Sequence, residues 1–215
     1  TSTVIALASL GVANLPNLTI DVERIQMDLA IEERIYEETA CELTPDEDCI
    51  AAPGARRLLR FSVETPNMGD VDLEIGEPES PLFEYSMCHG HHHFSGFASY
   101  ELVDDQGDEV AAGHKQAFCL VDTHAYVDSP DTPVTRRFNC NYQGIQRGWS
   151  DVYDSSLPCQ FIDITDTPDG QYTLRGPRVY YDLQSDRAVV LEAVFFTWDM
   201  THQVPLYVRA WQLRR

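Results

Sequence analysis

The stretch "FASYELVDDQGDEVAAG", residues 97–113, decides the fold because it contains two strand-like segments separated by a tight turn. Its first half is rich in aromatic and aliphatic residues that are typical of a strand. Acidic residues and Gly107 then form a turn signal in "DDQGD", and "EVAAG" follows directly. We therefore predict an antiparallel hairpin over residues 103–113.

An apolar–polar alternation with a period of two recurs on both sides of this hairpin. It is clear in residues 25–31 and 71–75, where every second residue is Ile, Met, Leu or Val. Further strand-like segments are "RLLRFSVET" (57–65), "CQFIDITD" (159–166), "GQYTLRG" (170–176), "AVVLEAVFFTWD" (188–199) and "PLYVRAWQLR" (205–214). Convincing amphipathic helices are scarce. We predict an all-β fold, with residues 1–215 forming a single antiparallel β-sandwich-like domain of roughly ten strands and long loops.

No stretch approaches the 18 or more apolar residues that span a bilayer, so no membrane span is predicted. The opening "TVIALASLGVA" (3–13) is apolar but short, and it lacks a basic n-region. We interpret it as an edge strand or a frayed terminus rather than a targeting segment.

The formal charge of −20, from 35 acidic and 15 basic residues, narrows the class of partner. Nucleic acid and anionic membrane surfaces are disfavoured, because binding phosphate requires a positive face. A cationic substrate would be attracted by such a field. Solubility in a salty or extracellular medium explains the same charge, and the two interpretations are compatible.

Six cysteines occur, and no two of them form a CxxC pair. A zinc ribbon or a thioredoxin-like motif is therefore poorly supported. An even number of widely spaced cysteines favours three disulfides and an exported protein. The alternative is a cytosolic domain with buried free thiols.

Four of the seven histidines lie in "CHGHHHF", residues 88–94. On a strand, His89, His91 and His93 would share one face and His92 would point to the other. Three neutral imidazoles on one face suit zinc or copper, and copper(II) generally binds more tightly. We predict a metal site at these three residues rather than polar residues lining a core.

Lys115 is the only lysine among the 15 basic residues. Arginine cannot provide the primary amine that lysine carries, so a position that keeps lysine in an arginine-rich chain is a candidate for amine chemistry. Considered alone, Lys115 could equally be a solvated charge on a hairpin.

Four segments together resemble the catalytic domain of the lysyl oxidase family. They are "CHGHHHFSGFASYELVD" (88–104), "GHKQAFCLVDT" (113–123), "RRFNCNYQGIQRGWSDVYDSSLPCQFIDITD" (136–166) and "DGQYTLR" (169–175). The family's motifs Cys-His-x-His-x-His, Gly-His-Lys and Cys-Gln-Trp-Ile-Asp-Ile-Thr-Asp match them in order. The match is clearest over residues 85–175.

The resemblance implies a copper amine oxidase. Its Cu²⁺ ligands fall on His89, His91 and His93, with Zn²⁺ a possible substitute. Its quinone cofactor, lysine tyrosylquinone, would be made from Lys115 and Tyr153. The implied reaction consumes O₂ and a cationic primary amine or a lysine-containing peptide or protein, and it yields an aldehyde, ammonia and hydrogen peroxide.

The resemblance also bears on the catalytic base. Ser99 stands where the family has a histidine that is a candidate base. A carboxylate in an apolar site could replace it. We choose Asp151 over Asp154 and His114, which also flank the cofactor positions in sequence.

The resemblance implies a disulfide pairing as well. The family typically has two further cysteines, at positions that are Ala125 and Trp149 here. Losing both is expected if they pair with each other, which leaves Cys119 to pair with Cys140. Cys41 and Cys49 would then be tied to Cys88 and Cys159, in the order Cys41–Cys88 and Cys49–Cys159.

The leading hypothesis is a secreted amine oxidase of lysyl oxidase type. A copper- or zinc-binding extracellular β-sandwich domain without catalysis is the alternative, and a structural or adhesive domain that holds zinc is a second.

Overall fold

The computed structural model describes residues 16–79 and 83–175, followed by four strand segments at 180–182, 188–190, 194–199 and 204–210. The side chains of residues 95–99 and 114–117 and of the last four segments lie outside this description. So does the opening apolar segment, residues 3–13, that the sequence analysis interpreted as an edge strand or a frayed terminus.

Most of the regular secondary structure of the described residues is strand. These residues include one α-helix, α1 (Val22–Asp28), and one short 3₁₀ helix, Cys41–Leu43. The strands are β1 (Ala30–Tyr36), β2 (Gly54–Arg60), β3 (Val63–Pro66), β4 (Leu73–Gly76), β5 (Phe83–Ser86), β6 (His91–Val103), β7 (Glu109–Phe118), β8 (His124–Ala125), β9 (Gln143–Ile145), β10 (Trp149–Tyr153), β11 (Phe161–Asp163), β12 (Gln171–Arg175), β13 (Tyr180–Asp182), β14 (Ala188–Val190), β15 (Val194–Asp199) and β16 (Val204–Ala210). No helix among the described residues is long and apolar enough to cross a membrane.

All the strand pairs are antiparallel. The largest sheet has the order β16-β15-β12-β6-β5, with β7 also paired to β6. Two three-stranded sheets have the orders β1-β2-β11 and β3-β10-β8, and β4-β9 and β13-β14 form two-stranded sheets. The predicted fold class, an all-β antiparallel domain with long loops and disulfides, is confirmed.

The predicted hairpin over residues 103–113 is also confirmed. Strands β6 and β7 pair directly, with Val103 opposite Glu109. The Asp104 carboxylate accepts hydrogen bonds from the backbone N–H groups of Gln106 and Asp108. Gly107 adopts φ +88°, which only glycine tolerates well, and this closes the turn.

The strand predicted at residues 25–31 is wrong over its first part, because residues 22–28 form α1. The Asp21 carboxylate caps the helix by accepting a hydrogen bond from the Arg24 N–H at 3.0 Å. Ile25 and Leu29 are buried four residues apart, whereas Met27 is 71% exposed. Residues at i and i+4 share a helix face, so the burial follows the helical period and not the period of two.

The structure describes sixteen strands, more than the predicted ten, and two of the additional strands arise because segments read as single strands are divided. "RLLRFSVET" splits into β2 and β3, and "AVVLEAVFFTWD" splits into β14 and β15. In each case the two halves join different sheets. An alternation in one segment cannot reveal that the strand changes partner.

The main core lies between these sheets and buries Phe61, Tyr100, Leu102 and Ile145 completely or almost completely. The Phe61 and Tyr100 rings meet edge to face at 5.0 Å. A smaller cluster around Leu58 and Phe161 includes Cys49 and Cys159. The three-histidine segment begins at the end of β6 that pairs with β5, directly beside the main core.

Candidate metal and cofactor site

His89, His91 and His93 form one cluster. One ring nitrogen from each lies within 4.8 Å of the others, and the Nδ1 of His89 is 3.1 Å from the Nε2 of His93. The ring centroid of His93 is 5.0 Å from that of His89 and 5.0 Å from that of His91. Three imidazole nitrogens at this spacing fit the donor preference of copper(II) or zinc.

The cluster does not form in the way predicted, because only His91 and His93 lie on a strand. Strand β6 begins at His91, and His89 belongs to the preceding turn. Gly90 adopts φ +70° there, and its N–H donates to the Ser86 carbonyl at 2.9 Å. The turn brings the His89 ring back towards those of His91 and His93. The position of His89 is therefore not set by the distance of about 6.6 Å that separates alternate residues of a strand.

His92 points away from the cluster, as the strand alternation predicts. Its ring packs edge to face on Tyr85 at 5.0 Å. Its backbone carbonyl accepts a hydrogen bond from the Gln143 side-chain amide at 3.0 Å. His92 therefore holds β6 against Tyr85 and Gln143, and it does not contribute a nitrogen to the cluster.

The surroundings of the cluster favour neutral imidazoles. Partial burial, followed by the nearby His89, lowers the pKa of His91 below its usual value. His93 is almost completely buried. Neutral imidazole is the form that binds a metal ion.

A buried carboxylate lies beside the cluster. Glu47 is buried, and its Oε1 is 3.9 Å from His89 Nδ1. Ser86 donates its hydroxyl to the same Oε1 at 2.5 Å and accepts the His89 backbone N–H at 3.0 Å. The sequence analysis missed Glu47 and Ser86, although "CELTPDEDC" and "EYSMCHG" place both close to cysteines that form disulfides.

Tyr153 and Asp151 lie two residues apart on β10 and therefore share a face of that strand. Both are buried. Burial raises the pKa of Tyr153 well above its usual value, and the electrostatic effects of Asp151 and Tyr100 raise it further. Burial also raises the pKa of Asp151 to about 7, although hydrogen bonds from the Thr123 hydroxyl at 2.9 Å and the Val121 N–H at 3.2 Å lower it.

Phe118 connects the tyrosine to the histidines. Its ring centroid is 4.6 Å from that of Tyr153 and 5.9 Å from that of His93. The two predicted parts of the site are therefore neighbours across one aromatic ring. Phe118 ends β7, and sequence reasoning did not single it out.

Lys115 lies on β7, the strand that pairs with the histidine-bearing β6. Its side chain is outside the described residues, as are those of His114 and Ser99. The backbone thus places Lys115 three residues from Phe118 on the strand next to the histidines. The same part of the chain contains two strand irregularities, between Phe94 and Tyr100.

Asp154 lies away from the buried site. Its side chain is half exposed, and it is 3.6 Å from the Arg24 guanidinium. Hydrogen bonds with Ser156 lower the pKa of Asp154. Of the two carboxylates considered as bases, only Asp151 shares the buried face with Tyr153.

Three disulfides hold the segments around the site. They join Cys41 to Cys88, Cys49 to Cys159 and Cys119 to Cys140, the pairing that the resemblance implied. Two of them involve neighbours of the site in sequence, because Cys88 precedes His89 and Cys119 follows Phe118. One disulfide therefore lies directly before the histidine cluster, and another lies directly after the neighbouring strand β7.

These features define a class of protein: a disulfide-stapled, all-β domain with clustered imidazoles beside a buried tyrosine and aspartate. The family model described as lysyl oxidase matches residues 15–179. This chain belongs to the lysyl oxidase family.

Individual relatives agree with this assignment. Lysyl oxidase homolog 3B of Danio rerio is 35% identical over 171 residues, which cover 74% of this chain and 20% of that protein. Lysyl oxidase homolog 2 of Gallus gallus is 35% identical over 169 residues, or 73% and 21%. Lysyl oxidase homolog 3 of Homo sapiens is 37% identical over 142 residues, or 60% and 18%. The chain spans about a fifth of the length of these curated relatives.

Proposed function

We propose that this chain is a copper-dependent amine oxidase that converts primary amines, either peptidyl lysine or small amines, to aldehydes. The observation that carries the proposal is the contact of Phe118 with both His93 and Tyr153. It brings the proposed copper ligands and the proposed cofactor tyrosine to one place. The strand that carries Lys115 pairs with the strand that carries His91 and His93.

The proposed site has three parts. His89, His91 and His93 would hold Cu²⁺, with Zn²⁺ as a competitor for the same nitrogens. Lys115 and Tyr153 would supply the amine and the phenol ring of lysine tyrosylquinone. When present, copper and the quinone supply redox chemistry with O₂ and an electrophilic carbonyl for the substrate amine.

The chain's own residues carry the remaining steps. Tyr153 lies in a buried position that holds its ring in place and excludes water. Lys115 must be unprotonated to join that ring, which a site of low polarity favours. Asp151, with a pKa raised to about 7, would accept the proton from the carbon next to the substrate amine. The balanced reaction consumes one amine, one O₂ and one water, and it releases one aldehyde, one ammonia and one hydrogen peroxide.

The substrate and the compartment belong to the same proposal. A chain of net charge −20 attracts a cationic amine or a lysine-rich protein. Three disulfides require an oxidising compartment, so we propose that the protein is secreted.

The test is to load the protein with copper in air, digest it and map cross-linked peptides by mass spectrometry. A covalent link between the peptides that contain Lys115 and Tyr153, together with peroxide release from a primary amine, is the expected result. Lys115→Arg keeps the charge but removes the primary amine, so it should lose both the link and the peroxide while it still binds copper. Tyr153→Phe should behave in the same way. Peroxide release by Lys115→Arg at the wild-type rate would contradict the proposal and leave a metal-binding domain with other chemistry.

A further inference from the structure

Glu47 is a buried carboxylate for which the described residues supply no arginine or lysine partner. It is 4% exposed, and the His89 imidazole is the one basic group of the described residues whose nitrogen lies within 4.0 Å of its oxygens. Its Oε1 accepts a hydrogen bond from the Ser86 hydroxyl. A buried carboxylate is costly unless it is paired and hydrogen-bonded. A divalent cation held by the neighbouring imidazoles would provide the missing positive charge.

The chain fixes Glu47 relative to the histidines by covalent bonds. Glu47 belongs to the loop between Cys41 and Cys49. One end of this loop is joined to Cys88, which directly precedes His89, and the other end is joined to Cys159. The Glu47 N–H also donates to the Thr44 carbonyl at 3.1 Å. The disulfide framework therefore fixes the backbone at Glu47, and the hydrogen bond from Ser86 orients its carboxylate.

Ser86 links Glu47 to the first part of the histidine motif, His89 and His91. Its hydroxyl donates to Glu47 and accepts from the His89 backbone, and its backbone lies opposite His91 in the β5–β6 pair. The bridge thus orients the turn that carries His89. The group of three imidazoles that could hold a metal ion does not include the Glu47 carboxylate, so Glu47 is not one of the proposed ligands.

We propose that Glu47 is a positioning residue for the metal site. Through Ser86 it holds the His89 turn in the metal-binding conformation, and its negative charge offsets part of the charge of a bound Cu²⁺ or Zn²⁺. This inference rests on the metal site of the proposed function. Loss of an outer carboxylate that supports a ligating histidine typically weakens metal binding by about 10–100-fold.

The test measures affinity and not turnover. Glu47→Gln keeps the shape and the acceptor for Ser86 but removes the charge. Competition titrations with Zn²⁺ and with Cu²⁺ should give dissociation constants about 10–100-fold higher than those of the wild type. The copper-loaded variant should also show an altered electron paramagnetic resonance spectrum. The metal-free variant should melt no earlier than the metal-free wild type, because a buried charge has been removed.

Glu42→Gln is the matched control. Glu42 lies in the same loop, is also buried, and its charge acts on Tyr36. It should leave metal affinity unchanged. Ser86→Ala provides a second variant that keeps the charge but breaks the bridge, and it should weaken binding by a smaller factor.

The possible outcomes separate this inference from the proposed function. Wild-type affinity in Glu47→Gln and Ser86→Ala, or an equal loss in Glu42→Gln, would overturn the role of Glu47 while the metal site stands. Failure of the wild-type protein to bind either metal would overturn both. If Glu47→Gln binds metal more weakly and its metal-free form is destabilised by the same free energy, Glu47 only supports folding.

Discussion

Ala125 and Trp149 lie directly opposite each other where β8 pairs with β10. These are the two positions at which the lysyl oxidase family typically has cysteine. Trp149 is buried, and its indole N–H donates to the Pro133 carbonyl at 2.7 Å. A bulky residue opposite a small one, with one hydrogen bond to the loop between β8 and β9, therefore stands where a covalent bridge would otherwise fit.

The first prediction uses this pair. Directly opposite residues in an antiparallel pair have Cα atoms about 4.5–5.5 Å apart, which is within the range of disulfides. The double variant Ala125→Cys/Trp149→Cys should therefore form a fourth disulfide, seen by mass spectrometry as the absence of free thiols. Ala125→Cys alone should retain one free thiol. Two reactive thiols in the folded double variant would contradict the pairing.

The second prediction concerns the histidine cluster. His91→Ala should lower metal occupancy sharply, because two imidazoles form a much poorer site than three. His92→Ala is the control, since His92 lies in the same motif but packs on Tyr85. Metal analysis after dialysis measures both. Full copper loading of His91→Ala, or equal losses in the two variants, would exclude the proposed ligand set.

The third prediction concerns the turn that carries His89. Gly90 has φ +70°, and an added Cβ would meet no atom within 4 Å. Gly90→Ala should therefore cost only backbone energy, about 1 kcal/mol, while it shifts His89 and weakens metal binding. Gly107→Ala is the control, because Gly107 has φ +88° with the same open space but lies in the hairpin turn. Gly107→Ala should lose a similar amount of stability in chemical denaturation and keep its metal affinity. Equal metal affinities in the two variants would exclude a special role for the Gly90 turn.

The fourth prediction concerns Asp151. Burial raises its pKa from 3.8 to about 7, so the folded protein favours the neutral acid. The stability that this preference contributes is complete below pH 3.8 and is lost as the pH rises through about 7. Relative to Asp151→Asn, the free energy of unfolding should fall by about 4 kcal/mol across that window. Denaturation curves of both proteins at several pH values measure this difference.

The same carboxylate should shape the pH dependence of turnover. A base must be ionised to accept a proton, so the rate of amine oxidation should rise with pH through about 7. Asp151→Asn should lose most of the activity, and its remaining rate should no longer rise with pH through about 7. A variant that keeps the wild-type profile would show that another group is the base.

The fifth prediction concerns the charge of −20. A dicationic amine should have a lower KM than a neutral-tailed amine of similar size at low ionic strength. Added salt should raise the KM of the dication more than that of its partner, because it screens the field over about 10 Å at 0.1 M. Equal KM values for both amines at low salt would remove charge steering without affecting the oxidase proposal.

Local patterns determined much of this protein from the sequence alone. The β6–β7 hairpin could be predicted because turn residues and strand residues are adjacent in sequence, and the three-histidine motif could be predicted because its members lie within five positions. Lys115 and Tyr153 were selected by resemblance to a family whose motifs recur here in order. Each of these inferences depends on residue type and spacing.

Tertiary structure decided what spacing does not encode. Residues 22–28 form a helix because Asp21 caps it and Ile25 is buried in the core. The apolar–polar alternation of the segment predicts a strand. His89 joins its partners through a glycine turn and not along a strand. The contact of Phe118 with Tyr153 and His93, and the approach of Glu47 to His89, join segments far apart in sequence. Such contacts depend on which sheets pack together, and a one-dimensional pattern contains no information on that packing.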